Sequence, residues 1–173
     1  MDSTPDTTTP LWFAMRIFNN RILRIKEEWE QKGARTYMAV KTTDKRTVQL
    51  APSLLFVRTT PDALKAFKQD HFSEIMLYRK PESTQPAPID DREMEMFVLV
   101  TSALDGRDVE VTTQTFDFKP GEKVRVIEGP FKGAEGIIRR IKKDRKLLVT
   151  VNGVVAVAVS HIPGQFLERI TDA

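Results

Sequence analysis

The residues of this chain that could bind a charged partner are concentrated in one basic run. Its six cations are candidate contacts to nucleic-acid phosphates: Arg139, Arg140, Lys142, Lys143, Arg145 and Lys146. Guanidinium and ammonium groups bind phosphate through charge and hydrogen bonds. No aromatic residue interrupts the run to stack on bases, so the solvated rim of a β-hairpin is the interpretation we favour for the same residues.

No arrangement of residues in the sequence predicts catalysis. The absence of cysteine excludes disulfides and thiolate-based zinc or redox chemistry. His71 and His161 show no spacing typical of a metal site, and we expect both to be ordinary residues. The sequence shows no glycine-rich phosphate loop and no Ser or Thr beside a base. We therefore expect a protein that is not an enzyme and that uses no cofactor or metal.

The basic run lies inside a stretch, residues 118–151, that predicts three short antiparallel strands. Apolar residues recur there at every second position, which is the period of half-buried strands, and Gly-Pro and Gly turns separate the runs. A further β-branched run, Val155 to Val159, also favours a strand. We expect a stable small barrel. The apolar positions of the three strands are Val124 and Val126, Ile137 and Ile141, and Leu147, Val149 and Val151.

The amino-terminal half predicts a small α+β sandwich in which helices cover a sheet. Thr60-Pro61-Asp62 is a helix start with a cap, a first-turn proline and a first-turn acid. Asn19 or Asn20 is expected to cap the first helix. The expected strands are Leu11 to Phe18, Ala34 to Thr42, Leu50 to Thr59 and Ser73 to Tyr78, and the expected helices are Ile22 to Lys32, Pro61 to Gln69 and Asp91 to Ala103.

Composition predicts four segments along the 173 residues. Residues 1–10 read as a disordered tail, 11–104 as the α+β domain, 105–115 as a linker without periodicity, and 116–173 as the barrel. Residues 116–173 hold 11 Lys/Arg against 7 Asp/Glu, so they carry the positive excess of the chain. No apolar run is long enough to cross a bilayer, and we expect a cytoplasmic protein without a membrane partner.

The glycines and valines of the predicted barrel resemble a KOW motif in an SH3-like barrel, as in the carboxyl-terminal domain of the NusG family of transcription elongation factors. The matching residues are Gly121, Val124, Val126, Gly129, Pro130, Phe131, Gly133 and Gly136. A KOW motif also occurs in ribosomal proteins. The main alternative is therefore a ribosome-associated protein that binds RNA through its barrel.

The amino-terminal half resembles the NusG amino-terminal domain (NGN) in three places. They are Trp12-Phe13 with Arg16 and Phe18, Pro52-Ser53-Leu54-Leu55-Phe56-Val57, and Pro86-Ala87-Pro88-Ile89 before Asp91-Arg92-Glu93. The resemblance implies that this domain binds the clamp helices of the large subunit of RNA polymerase without catalysing a reaction. It implies a contact surface made of Trp12, Phe13, Arg16, Phe18 and Leu54, although Phe13 is equally well explained as a core residue.

Two departures from the family pattern favour a specialised paralogue. Pro52-Ser53-Leu54 stands where family members commonly have Pro-Gly-Tyr, and Val151-Asn152-Gly153-Val154 stands where housekeeping members have a Phe-Gly pair. Ile162-Pro163 is similar to UpxY-type paralogues, which act on selected long operons such as those for surface polysaccharides. The resemblance implies a monomer whose barrel recruits the termination factor Rho or a small-subunit ribosomal protein, with non-template DNA or nascent RNA as further candidate contacts.

Overall fold

The computed structural model describes residues 7–112, 122–141, 144–151 and 154–171. Within these ranges it is an α+β protein, as predicted, whose first half mixes strands with helices and whose last part is all β. In chain order the elements are β1 (Leu11–Ile17), α1 (Ile22–Gln31), β2 (Arg35–Tyr37), β3 (Val40–Thr42), β4 (Thr47–Gln49), β5 (Leu54–Thr59), α2 (Pro61–Asp70), β6 (Ile75–Leu77), α3 (Asp91–Ser102), β7 (Val109–Thr112), β8 (Glu122–Val126), β9 (Glu135–Ile141), β10 (Asp144–Val151), β11 (Val155–Val159) and β12 (Leu167–Arg169), with short 3₁₀ turns at Ala103–Gly106 and Gly164–Phe166.

The chain divides into two compact units that interleave in sequence. The first unit comprises Met1–Met38 and Ser53–Asp91, and the second comprises Ala39–Pro52 and Arg92–Ala173. Helix α3 and the β3–β4 ribbon thus group with the barrel strands. The division into independently folding domains at 11–104 and 116–173 stays a prediction.

A four-stranded antiparallel sheet in the order β2-β5-β1-β6 forms the first unit together with α1 and α2. Alternate residues of β1, namely Phe13, Met15 and Ile17, join Leu55 and Val57 of β5 in one buried cluster. Helices α1 and α2 close this cluster with Ile22, Ile25, Trp29, Leu64 and Phe67. Trp29 and Phe67 stack with their ring centroids 4.0 Å apart. The alternate apolar residues of β1 therefore pack against the apolar residues that recur at helical spacing on α1, as the sequence predicts.

Helix α2 begins as predicted, whereas α1 does not. The Ala63 N–H donates to Thr60 Oγ at 3.2 Å, Pro61 occupies the first turn, and Asp62 supplies the acid there. At α1 the residue before the helix is Arg21, with no side-chain cap. Asn19 and Asn20 instead have left-handed backbone angles, φ 60° and 55°, and form the turn itself. The predicted asparagine cap is wrong because both residues are used for the reversal of the chain.

The strand predicted from Ala34 to Thr42 is divided into two. Arg35–Tyr37 pairs with β5 in the main sheet, but Val40–Thr42 pairs with Thr47–Gln49 in a separate two-stranded ribbon. The strand predicted from Leu50 begins only at Leu54, because Pro52 has no N–H to donate and Ser53 has φ 69°. The β3–β4 ribbon was therefore not predicted.

The all-β part of the second unit is one six-stranded sheet in the order β12-β8-β9-β10-β11-β7. The three strands predicted around the KOW motif are confirmed as β8, β9 and β10, and the fourth as β11. The expectation that residues 105–115 lack regular structure is wrong for Val109–Thr112. This segment is an edge strand that pairs antiparallel with β11. Val109 and Val111 alternate with polar residues and Val109 is buried, so a short period-two signal was present inside the segment.

None of the helices in the described ranges is long and apolar enough to cross a membrane. Residues 1–6 of the predicted tail and residues 113–115 of the predicted linker lie outside the described ranges.

Gly136→Ala should destabilise the barrel. Gly136 has no positive φ, so the backbone does not need glycine for its conformation, but an added Cβ would lie 2.2 Å from the Leu148 carbonyl oxygen. Overpacking of this kind costs about 1–3 kcal/mol. Gly164→Ala is the matched control, since nothing lies within 4 Å of its added Cβ. Chemical denaturation measures both, and equal stability of the two variants would contradict the close approach of β9 to β10.

A barrel fragment should need β7. A fragment of residues 107–173 retains the β7–β11 pairing, whereas a fragment of residues 116–173 leaves one edge of β11 unpaired and exposes Val157 and Val159. The shorter fragment should unfold at a lower temperature, by about 4–8 °C for each kcal/mol of lost stability, and should associate more readily. Equal melting temperatures would show that β7 is not part of the barrel's stable sheet.

Candidate partner-binding surfaces

The sheet of the first unit has two faces, of which one is covered by α1 and α2. We call the opposite one the outer face. Residues directly opposite each other on antiparallel strands share a face, and β1 pairs with β5 through Ala14↔Phe56 and Arg16↔Leu54. The outer face therefore carries alternate residues of both strands, namely Trp12, Ala14, Arg16, Leu54 and Phe56.

The five residues predicted to contact polymerase divide between three environments. Phe13 belongs to the core cluster beneath the helices, so the core interpretation of this residue is the one the packing supports. Trp12 and Leu54 are on the outer face but buried. The guanidinium of Arg35 lies 5.7 Å from the centre of a Trp12 ring. Arg16 and Phe18 are exposed. Of the predicted set, Arg16 and Phe18 are therefore the members accessible to a partner.

Strand β6 and the residue that follows it add two side chains beside Arg16 that the sequence did not single out. Met76 lies directly opposite Arg16 in the β1–β6 pair and is 40% exposed. The Tyr78 N–H donates to the Ala14 carbonyl at 3.2 Å, which continues the same pairing and places Tyr78 on the outer face. The signal was available in the alternation of Ser73 to Tyr78, once Arg16 was known to face outward.

Together these side chains form a small surface, the Arg16 patch, which consists of the exposed Arg16, Phe18 and Met76 and the half-buried Tyr78. The Arg16 guanidinium lies 5.8 Å from the centre of the Phe18 ring, within cation–π range, so the two side chains hold each other in position. Burial raises the pKa of Tyr78, and the nearby Arg16 charge lowers it in part. The patch combines an aromatic ring, a thioether, a phenol and one cation, a mixture enriched where proteins bind proteins.

The KOW residues fold the connection between β8 and β9 into a tight loop. The Val126 N–H donates to the Ala134 carbonyl, and the Gly133 N–H donates back to the Val126 carbonyl, each at 2.8 Å. Gly129 and Gly133 have positive φ, and Phe131 is buried within the loop. Gly121 lies outside the described residues. The motif thus has a structural role in this chain, because its glycines adopt the positive φ angles of the loop and Phe131 packs inside it.

The basic run is only partly described. Lys142 and Lys143 lie outside the described residues; Arg139 and Arg140 belong to β9, and Arg145 and Lys146 to β10. Lys146 is directly opposite Arg139, is largely buried, and its Nζ lies 3.9 Å from Glu110 Oε2. Of the two β10 cations, Arg145 is the exposed one. A largely buried cation with a carboxylate partner is a weak candidate for a phosphate contact.

An ion network joins α3 to the barrel strands within the second unit. Arg92 of α3 and Arg125 of β8 each place a guanidinium nitrogen 2.9 Å from Glu135 Oε1. Burial raises the pKa of Glu135, but hydrogen bonds and charge from Arg125 and Arg92 lower it by more, so that the net pKa is lowered. The Glu135 N–H also donates to Met96 Sδ at 3.3 Å. These contacts explain why α3 groups with the barrel.

Each histidine contacts one carboxylate. His71 Nε2 lies 2.6 Å from Glu28 Oε2, and His161 Nδ1 lies 3.1 Å from Asp108 Oδ1. The described part of the chain contains no group of three or more potential metal ligands.

Comparisons with known proteins agree with this geometry. The KOW motif model matches residues 120–152. The transcription termination/antitermination protein NusG of Borreliella burgdorferi is 34% identical over 64 residues, which is 37% of this chain and 34% of that protein, so the chain spans about a third of this relative's length. A solved structure described as "Domain interaction in Thermotoga maritima NusG" has a TM-score of 0.53 and 22% identity, and the match covers 94% of this chain and 98% of that one.

A structure of the MjSpt4:Spt5 complex also matches, at 14% identity over 94% of this chain and 98% of that one, but its TM-score of 0.30 carries no argument. The 22% identity of the Thermotoga structure is evidence for the fold alone. Residues 120–152 carry a KOW motif, the chain has the fold of the Thermotoga NusG structure, and 64 of its residues are similar in sequence to a NusG protein.

Proposed function

We propose that this protein is a non-enzymatic transcription elongation and antitermination factor of the NusG type. It acts in the cytoplasm and binds RNA polymerase through the Arg16 patch of its first unit. The observation that carries the proposal is the NusG fold with a KOW motif, combined with the exposed Arg16, Phe18 and Met76 of the Arg16 patch.

The Arg16 patch supports docking because its members contribute little to the core beneath the helices. Phe18 and Met76 are 38% and 40% exposed, and neither belongs to the buried cluster of the first unit. Aromatic and methionine side chains at the centre of an interface contribute a large share of binding energy, and arginine is enriched beside them. The clamp helices of the polymerase's large subunit are the partner that the NusG resemblance implies.

The barrel recruits a second partner in this proposal. The candidate contact is the turn after β10, where Val151 and Val154 flank residues outside the described ranges. Both valines are buried and are therefore not themselves accessible to a partner. A small-subunit ribosomal protein or Rho is the candidate partner. The departures in sequence support a specialised, UpxY-like factor that acts on selected operons.

Polymerase binding should depend on Arg16 and Phe18. Arg16→Ala and Phe18→Ala should each weaken binding to core RNA polymerase at least about tenfold, because truncation of a residue at an interface centre typically costs about 2 kcal/mol or more and tenfold corresponds to about 1.4 kcal/mol. Leu23→Ala is the control: Leu23 is 66% exposed but lies on α1, which covers the opposite face. Binding is measured by surface plasmon resonance, and circular dichroism shows that each variant is folded.

Polymerase retained at wild-type affinity by both folded variants would reject the docking assignment. The alternative, a ribosome-associated protein that binds RNA, predicts a different dependence of binding on salt concentration. Binding to RNA through cations weakens steeply as salt is raised, whereas docking through an apolar patch depends much less on salt.

Phe13→Ala should lower the stability of the protein, whereas the Arg16 and Phe18 variants should lower its affinity for polymerase. Phe13 is buried in the cluster beneath α1 and α2, and truncation of a core phenylalanine typically costs about 3–5 kcal/mol. The exposed Phe18 is the matched aromatic control, and its truncation should cost less than about 1 kcal/mol. Urea denaturation of the two variants compares them directly. A larger loss of stability for Phe18→Ala would mean that the faces of β1 are assigned the wrong way round.

A further inference from the structure

Strand β11 (Val155–Val159) has a neighbour on each side, and one of the two is short. On one side β11 pairs with β10 over five residues, and on the other it pairs with β7 (Val109–Thr112) over four. β7 is the last strand of the sheet, so no other described strand covers this side of β11. All five residues of β11 are buried. Without β7, β11 would be the edge of the sheet.

β11 would be an unprotected edge. Its sequence is Val-Ala-Val-Ala-Val, and the ten residues from Val151 to Ser160 include no charged side chain and no proline. Natural proteins place charges and prolines on edge strands, where these residues prevent pairing with other chains. Uncharged segments that are rich in β-branched residues and lack proline associate when they are exposed. We therefore expect an exposed β11 to pair with another strand.

β7 replaces that edge with a protected one. It is four residues long, and its Glu110 is exposed and charged. A short edge strand with an exposed charge resists pairing with another chain. The Glu110 carboxylate also lies 3.9 Å from the Lys146 ammonium of β10. Because β7 shields β11 in this way, we call β7 the guard strand.

The sequence of β11 reads the same in both directions, so two copies of the strand match each other. In an antiparallel pair centred on Val157, Val155 of one copy lies opposite Val159 of the other, and Ala156 lies opposite Ala158. Each valine then faces a valine, and opposite pairs of β-branched residues stabilise a sheet. The pair has two-fold symmetry, which is the commonest symmetry of protein dimers.

The guard strand is held at its beginning by exposed contacts. The Ser160 N–H donates to the Asp108 carbonyl at 2.9 Å, and His161 Nδ1 lies 3.1 Å from Asp108 Oδ1. The side chains of His161 and Asp108 are 79% and 41% exposed, and exposed contacts between such groups contribute little stability. Both residues have φ 62°, a left-handed backbone that is unfavourable for residues other than glycine. The guard strand is thus fixed less firmly than the strands inside the sheet, each of which pairs on two sides.

We infer that the guard strand is releasable, and that its release allows two copies of this chain to dimerise through antiparallel pairing of β11 with β11. While the guard strand is in place the chain is a monomer, because a strand of the same chain is present at a far higher effective concentration than a second copy. The freed edge takes a second copy because β11 matches itself residue by residue. The inference does not depend on polymerase binding, since it concerns strands of the second unit.

The mass of the full-length chain in solution tests the release. Val109→Asn combined with Val111→Asn replaces the two valines of the guard strand with a residue that is unfavourable in strands and costly to bury. Multi-angle light scattering should give 19.8 kDa for the wild-type chain, and a mass that rises with concentration to about twice that value for this double-asparagine variant. Leu23→Asn combined with Val48→Asn is the control, since both residues are exposed and lie on other elements. The control should stay at the wild-type mass.

Disulfide crosslinking tests the register of the dimer, because the natural chain contains no cysteine. Val157→Cys, added to the double-asparagine variant, places one thiol of each copy at the two-fold axis, where the Cα atoms are within the separation of about 4.4–6.8 Å that a disulfide needs. Val155→Cys in the same variant is the control, because the two copies of residue 155 lie about 13 Å apart along the strands. The first variant should form a disulfide between copies, and the second should not.

A milder release variant keeps both valines of the guard strand. Asp108→Asn combined with Glu110→Gln weakens only exposed contacts. With Val157→Cys added, it should form more disulfide between copies than Val157→Cys alone does in a chain with an intact guard strand. A double-asparagine variant that circular dichroism shows to be folded and that stays at 19.8 kDa at every concentration would overturn the inference. So would equal crosslinking from positions 155 and 157 or, where the double-asparagine variant is unfolded, an unchanged yield from the milder variant.

Discussion

The pairing of β1 with β5 is the constraint on which the rest of the first unit depends. Six consecutive residue pairs, from Leu11↔Thr59 to Arg16↔Leu54, fix which side chains of β1 point toward the helices. A shift of one residue would exchange the two faces, so that Arg16 would enter the cluster under α1 and α2 and Phe13 would leave it. An unpaired arginine in an apolar core costs several kcal/mol. The register thus determines both the stability of the unit and the chemistry of its outer face.

Much of the fold could be predicted because the local sequence patterns favour the same helices and strands that the tertiary packing requires. The alternation in β1, the Thr60-Pro61-Asp62 helix start and the glycine-separated barrel strands each specify one structure, and the structure has them. Three features could not be predicted. Asn19 and Asn20 suit a cap and a left-handed turn equally well, the break between β2 and β3 has no strong turn residue, and β7 is four residues long with its partner, β11, more than forty residues away.

The candidate surfaces could be predicted only in part, because a sequence shows the type of a side chain but not its burial. Residue type marked Arg16, Phe18 and the basic run, but availability depends on burial and on partners from distant parts of the chain. Leu54 and Trp12 have the right chemistry and are buried, whereas Met76 becomes a candidate only through its place opposite Arg16. The ammonium of Lys146 lies beside the Glu110 carboxylate, so its charge is paired within the chain. In both units the sequence predicted the kind of side chain better than its accessibility.

The central claim, that the Arg16 patch of the first unit docks on RNA polymerase, is tested most directly by site-specific photocrosslinking. A photoreactive phenylalanine analogue replaces Phe18 in one variant and Leu23 in another, and each full-length chain is irradiated with core RNA polymerase. The account predicts a crosslink from position 18 to the large subunit that carries the clamp helices, and none from position 23, because α1 covers the opposite face of the sheet. Crosslinks of equal yield from both positions, or from position 23 alone, would contradict it.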